Sequence, residues 1–319
     1  MTHRQIITIF LGTALISAQE AAVDTEMEVE EVTAMSIADI FQESRAAAEA
    51  GDAAAQFQLA RCYFLGMGVA RSQGKAMEWL RKAAGQGNAD AQCQLAECYA
   101  EGRGVEKNDV EACRWWVKGA SQGHAESMFR LGMAHIEGAG VQKSEALGTA
   151  WVERAATAGH VDAITSLGFC RLQGVGGQQD FATATRLFQQ AAERGQANAA
   201  FWLGFCKLHG IGTERDLQGA MKLLHQAADG LSAPAAVQLG RCHELGIGVQ
   251  ADADKAFDWY WAAARMENAE ACYRLGLMLL EGRGCKPNTQ KATKWFRKAA
   301  KKKHAKAQQK LDELSNKQQ

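Results

Sequence analysis

Seven Gly-x-Gly pairs, Gly66/Gly68, Gly102/Gly104, Gly138/Gly140, Gly174/Gly176, Gly210/Gly212, Gly246/Gly248 and Gly282/Gly284, follow one another at a constant interval of 36 residues. One such pair arises easily by chance; seven in register, with no insertion or deletion between them, define a repeat protein. A chain built this way has no single central core, because each unit buries its apolar face on its neighbours. Other columns keep the same step. Leu59, Leu95, Leu131, Leu167, Leu203, Leu239 and Leu275 stand seven residues before each pair, and Ala76, Ala112, Ala184, Ala220, Ala256 and Ala292 ten residues after it, with Gly148 the exception. Thirteen residues after it stand Trp79, Trp115, Trp151, Leu187, Leu223, Trp259 and Trp295.

Within a unit the apolar residues are spaced for helices. Ala91, Leu95 and Cys98 fall at i, i+4 and i+7, one stripe of a first helix, A. Gly102 ends it, since glycine takes the left-handed cap conformation without a Cβ penalty, and Gly104 lets the chain double back. Asn108 or Asp109 caps a second helix, B, whose Ala112, Trp115 or Trp116, and Ala120 face helix A. The Trp column is expected in the core. Only two prolines occur, Pro234 and Pro287, and period-two β-branched runs are missing, so the fold class expected is all-α. A glycine recurs inside helix A, at Gly132, Gly168, Gly204, Gly240 and Gly276. Each costs about 1 kcal/mol relative to Ala, so a neighbouring helix must pack too closely there for a side chain.

These residues carry a resemblance. The pattern A-x3-L-G-x5-G-x-G-V followed by A-x2-W-x3-A-A resembles the Sel-1-like repeat family, relatives of the tetratricopeptide repeats, over residues 53–304. The resemblance implies a right-handed superhelical solenoid of αα-hairpins and an adaptor role, often among exported or envelope-associated bacterial proteins. Seven repeats are expected, at 53–88, 89–124, 125–160, 161–196, 197–232, 233–268 and 269–304. The helix-A tyrosine of the family stands as Tyr63 and Tyr99 but is replaced by His135, Arg171, Lys207, His243 and Leu279.

The ends read differently. Residues 1–18 have the layout of a secretory signal peptide, with His3 and Arg4 before an apolar run from Ile6 to Ile16 and a cut expected after Ala18, so the chain is expected to be exported, to the periplasm or beyond. That run is well short of the roughly 20 residues that span a bilayer. Residues 19–35 form an acidic flexible tether with Glu20, Asp24, Glu26, Glu28, Glu30 and Glu31. Residues 36–52 are a capping half-repeat, with Ala47, Ala48 and Gly51 in register with Ala83, Ala84 and Gly87; residues 305–319 are a closing helix and tail. Lys298, Lys301, Lys302, Lys303, Lys306 and Lys310 crowd that end, which suits contact with an anionic envelope surface or head-to-tail association. The 36 basic residues balance 36 acidic ones, so no nucleic-acid partner is expected.

Cys62, Cys98, Cys170, Cys206 and Cys242 share the inward stripe of helix A and read as small buried hydrophobes, because equivalent atoms of stacked helices lie about 8–10 Å apart, too far to bridge. Cys98 and Cys113 lie at matching height in one hairpin and leave a bridge open. The resemblance extends to a cysteine-rich secreted branch that staples each hairpin with paired cysteines; here Cys272 has only Ala300 where its mate would stand. His124, His160 and His304 occur once per repeat, too far apart to share a metal, and read as loop or cap residues; no metal and no cofactor is expected. Ser72-x-x-Lys75 matches a penicillin-recognising motif, but its companion motifs are missing and Ser72 falls in a hairpin loop, so no catalytic residue is assigned.

If packing holds the inward stripe constant, function belongs where the units differ. Helix-A columns eight and five residues before each Gly pair share a face expected to floor a concave groove. Its centre is apolar, Met133, Phe169, Trp202 and Phe205, and its flanks are charged, Arg61, Glu97 and Arg130 on one side and Arg241 and Arg274 on the other. An aromatic centre with a charged rim suits a protein or peptide partner. The expected function is a non-enzymatic interaction scaffold at the cell envelope; the alternatives are a β-lactam-binding or hydrolytic protein using Ser72 and Lys75, and a cell-wall glycan binder.

Overall fold

The computed structural model describes residues 41–316, and the expected signal peptide, the acidic tether and the first residues of the capping half-repeat lie outside them. Every regular element among the described residues is a helix. Contacts divide the chain after His124 into two compact units.

The first unit holds a helix over residues 41–49 and two hairpins, Ala53–Leu65 with Gln73–Gly85 and Ala89–Glu101 with Asp109–Ser121. The lone first helix closes the stack: Phe41 and Ala48 are buried on it, and Phe41 meets the edge of Tyr63 at 5.9 Å. The second unit holds five hairpins. Their A helices are Ala125–Glu137, Val161–Gln173, Ala197–His209, Ala233–Leu245 and Ala269–Glu281. Their B helices are Glu145–Thr157, Phe181–Glu193, Leu217–Asp229, Ala253–Arg265 and Thr289–Lys301. The helix Ala305–Asn316 lies on the last of these and buries Ala307.

One set of local rules makes all seven hairpins. The first Gly of a pair takes the left-handed conformation, φ 71° at Gly102, and donates its N–H to the carbonyl four residues back, that of Cys98 in the second hairpin. The chain then turns into a complete capping column, Ser72, Asn108, Ser144, Asp180, Asp216, Asp252 and Asn288, each accepting from the backbone N–H three residues on. Each such cap contributes about 1 kcal/mol. The N–H of Asn108 also closes the loop on Tyr99 O at 2.8 Å, as that of Asp252 does on His243 O. Asn108, not Asp109, is therefore the cap. Ser72 belongs to this column, its Oγ taken by the Lys75 N–H at 3.5 Å, while the Lys75 ammonium lies over the Tyr63 ring. The Ser-x-x-Lys spacing is that of a helix start.

The helix-B core column lies one residue beyond the expected one. Leu80, Trp116, Val152, Phe188, Leu224, Tyr260 and Phe296 are the buried anchors, all but Trp116 completely enclosed. Trp79, Trp115, Trp151, Trp259 and Trp295 are only half-buried. The expectation that they form the core is corrected: one face of each packs on the stack, and a cation one turn on covers the ring of four of them, Lys82 over Trp79 at 4.0 Å, Lys118 over Trp115, Arg154 over Trp151 and Lys298 over Trp295. Adjacent positions are about 100° apart on a helix, so both columns are apolar in sequence and only hairpin packing selects the inner one.

The mid-helix glycines face that buried column. A Cβ on Gly168 would lie 2.7 Å from the Phe188 ring, and one on Gly276 would lie 2.5 Å from Phe296. In the third hairpin the opposing Gly148 also lacks a side chain, and a Cβ there would lie 2.6 Å from the carbonyl oxygen of Gly132. That exception to the alanine column is what lets these two helices approach closest.

Candidate functional site

In the second unit two successive A helices, Val161–Gln173 and Ala197–His209, carry an aromatic cluster. Phe169, 39% exposed, tilts against Trp202 at 5.4 Å between ring centres. Trp202 is half-buried and stacks on enclosed Phe188 beneath it, 6.1 Å away with planes 19° apart, which ties the exposed rings to the core. Phe205 meets Trp202 edge-on at 5.9 Å. Two members escaped the sequence columns: Phe201, 5.1 Å from Trp202, and His209, 4.5 Å from Phe205. Phe201 sits one position from the column, and only the ring geometry shows that it leans into the cluster. Met133 packs on the same hydrophobic core.

The charged flanks separate into engaged and open groups. Arg130 donates through Nε to Glu126 at 2.6 Å, and Glu126 also pairs with His160 Nε2 at 2.6 Å. His160 caps the next A helix, its Nδ1 accepting the Ala163 N–H, and its ring stacks on Phe129. Four repeats later the same device recurs: Arg274 Nε to Glu270 at 2.6 Å, Glu270 to His304 Nε2 at 2.9 Å, His304 Nδ1 accepting from Ala307 N–H, and Tyr273 stacked on the imidazole. Burial works against the Glu126 carboxylate, but its hydrogen bond to His160 and the charge of Arg130 outweigh it and bring its pKa down to about 2. Glu270 is lowered by the same balance of burial against His304 and Arg274. These histidines are caps, as expected; their acidic partners lie 34 residues earlier and were not foreseen.

Arg274 extends the device inward. Glu244, whose side chain is 11% exposed, accepts from Tyr260 Oη at 2.7 Å and from Arg283 Nη1 at 2.6 Å, with Arg274 Nη1 3.9 Å away. In the fourth repeat the equivalent positions are the purely apolar Leu172 and Phe188. Arg241, half-buried like Arg274, differs from the other second-unit arginines of the face in that no carboxylate among the described residues lies within ion-pair distance of it. Its charge, with that of Arg215, adds to burial in lowering the pKa of His209. In the first unit Glu97 pairs with Arg103 at 3.6 Å, and Arg61 bonds Gln58 and lies over the Phe57 ring.

Cys62, Cys98, Cys170, Cys206 and Cys242 are buried thiols, with burial pushing Cys98 up to about 11. Cys98 and Cys113, the pair left open above, are both buried in the second hairpin. No group of three or more metal-ligating side chains is gathered among the described residues, and none of their helices is long and apolar enough to cross a membrane. A separate open cleft of about 490 Å³ lies beside the fourth hairpin, lined by Glu153, Arg171, Gln178, Gln179 and Arg186 among others.

Against known families, the Sel1 repeat model matches residues 53–88, 89–124, 125–160, 161–196, 197–230, 233–268 and 269–304. The chain belongs to the Sel1 repeat family. Two solved structures of 29% identity agree. One is c5321, a protective antigen of uropathogenic Escherichia coli strains with the same fold, at a TM-score of 0.72 over 86% of this chain and 59% of the antigen. The other is a Sel1 repeat protein from Oxalobacter formigenes, at 0.69 over 86% of this chain and 79% of that one. This chain thus spans 59% of the length of the antigen. Yeast Tom70, 13% identical with a TM-score of 0.52, shares the fold alone. No curated protein matches the sequence. Sel1 repeat proteins generally act as protein-interaction scaffolds, typically without catalysis.

Proposed function

We propose that this Sel1 repeat protein is a non-enzymatic scaffold, exported across a bacterial-type membrane, that holds a partner protein or peptide on the helix-A face of its fourth to sixth repeats. One observation carries the reading: Phe169 is exposed against half-buried Trp202 and Phe205, over a buried Phe188 that holds them in place, next to an arginine without a carboxylate. Rigid aromatic anchors with an adjacent guanidinium are the usual energetic centre of a protein interface. Ser72 accepts the Lys75 N–H as a helix cap, a local role that accounts for the Ser-x-x-Lys spacing without catalysis.

The test is a crosslinking capture from the source cell, wild type beside a Phe169→Ser, Trp202→Ser, Phe205→Ser variant whose helicity is checked by circular dichroism. A partner held by the wild type and lost by the variant is the expected result. Identical capture overturns the site, and loss of binding to soluble cell-wall glycans in place of a protein selects the glycan alternative. Fractionation with N-terminal sequencing checks export; a mature chain beginning at Gln19 is expected.

A further inference from the structure

The last hairpin carries the molecule's strongest charge asymmetry. Helix Thr289–Lys301 contains Lys291, Lys294, Arg297, Lys298 and Lys301 and no acidic residue, and all five cations are exposed. At 100° per residue they fall within one arc of about 120°, opposite the buried Ala292, Phe296 and Ala299. None of the five has a carboxylate within ion-pair distance among the described residues; the nearby pairs use Lys302 with Glu267 and Lys310 with Glu313 instead. The other B helices are not built this way: Ala253–Arg265 sets Asp254 and Asp258 against Lys255 and Arg265, and Asp109–Ser121 sets Asp109 and Glu111 against Arg114 and Lys118. From Lys286 to Lys310 the chain has ten basic residues and no acidic one.

The complementary charge is in the same chain. Between Gln5 and Ser44 there is no basic residue, and Glu20, Asp24, Glu26, Glu28, Glu30 and Glu31 fall within twelve positions. That segment joins the stack before its first repeat, whereas the cationic face belongs to the seventh, and in a repeat stack each unit touches only its neighbours. We infer that the cationic face of helix Thr289–Lys301 is a docking surface for the acidic segment 20–31 of a second copy of this chain. The association is head-to-tail, a heterologous contact that leaves each copy with one face and one segment free for the next. It uses helix-B positions and is independent of the aromatic cluster, which lies on A helices.

The test is sedimentation velocity of the purified full chain at about 20 mM and about 300 mM salt, where the screening length shrinks from roughly 20 Å to under 10 Å. Self-association is expected at low salt, with an apparent constant at least about tenfold weaker at high salt. A chain carrying Lys291→Glu, Lys294→Glu, Lys298→Glu and Lys301→Glu is expected to be monomeric, as is one carrying Glu26→Lys, Glu28→Lys, Glu30→Lys and Glu31→Lys. Mixing the two is expected to restore association, because each then offers the other an opposite charge. A synthetic peptide of residues 19–35 is expected to dissociate the wild type, a readout that does not depend on either variant folding. A wild type monomeric at low salt overturns the inference, and so does association unchanged by reversal of either segment. Monomers that bind phosphatidylglycerol-containing vesicles through the same lysines also overturn it, and assign the face to an anionic surface. The Phe169→Ser, Trp202→Ser, Phe205→Ser chain is expected to associate as the wild type does.

Discussion

The third and seventh repeats carry a glutamate–arginine–histidine latch to the helix that follows them, and the fourth to sixth lack that latch. At Glu126 and Glu270 one carboxylate gathers an arginine from its own helix and the capping histidine of the next. In between, the same two positions hold Asp162 with Ser166, Asn198 with Trp202 and Pro234 with Gln238. Only Asp162 keeps a polar link, to Gln196 at 2.7 Å. In the fourth and fifth repeats aromatic side chains fill the face, and Phe169 is left exposed. The fold tolerates either solution, because stability comes from the buried column that all repeats share.

The sharpest break of this contrast is Phe188→Ala. It removes the support under Trp202 and opens a cavity, so a loss of about 3–5 kcal/mol in denaturant unfolding is expected, together with loss of the Trp202 fluorescence environment. Next in size is Glu244→Ala, which leaves the Tyr260 hydroxyl and Arg283 without their shared acceptor in a nearly enclosed site and should cost about 3 kcal/mol. Glu244→Leu combined with Tyr260→Phe restores the pairing found at Leu172 and Phe188, and should return stability to within about 1 kcal/mol of wild type. If the double variant is as unstable as the single one, the network does more than satisfy itself.

Acid should separate the two regions. His209 and His243 belong to the centre, and burial leads the lowering of both below the ordinary 6.5, so the folded state binds their protons later than the unfolded one. Their contribution is complete above about 6.5 and is lost as pH falls below it. The Glu126 latch, lowered from 4.5 to about 2, contributes fully above about 4.5 and is lost only as pH falls from there through about 2. Hydrogen exchange followed against pH should therefore show helices Ala197–His209 and Ala233–Leu245 loosening at mildly acidic pH, with Ala125–Glu137 following below about 4.5. Simultaneous loosening would remove the distinction. The smallest effect is expected at His243, whose buried Nδ1 has no hydrogen-bond partner: His243→Leu, the residue found at Leu279, should gain about 1 kcal/mol.

Much of this was legible in the sequence. The interval between glycine pairs gave the number of the repeats, because a left-handed helix end excludes most other residues and cannot drift without breaking the hairpin. The recurring mid-helix glycines announced a close approach, and the partner in three of the five cases is an aromatic ring. The buried helix-B column was missed because Trp is apolar enough to read as core while its half-exposed ring is covered by a neighbouring lysine or arginine. Of the face residues, Arg130 and Arg274 looked alike to Arg241 in sequence; the first two are committed to carboxylates and the third is not.

That this chain is a stack of helical hairpins was readable from its residues, because those choices are local: a cap, a left-handed glycine and a 3.6-residue period act within a few positions. Tertiary structure alone decided which aromatic ring is core and which is surface, and which charges are satisfied. Those outcomes depend on groups 16 to 39 residues apart, such as Tyr260 and Arg283 converging on Glu244, and on the water that their convergence excludes.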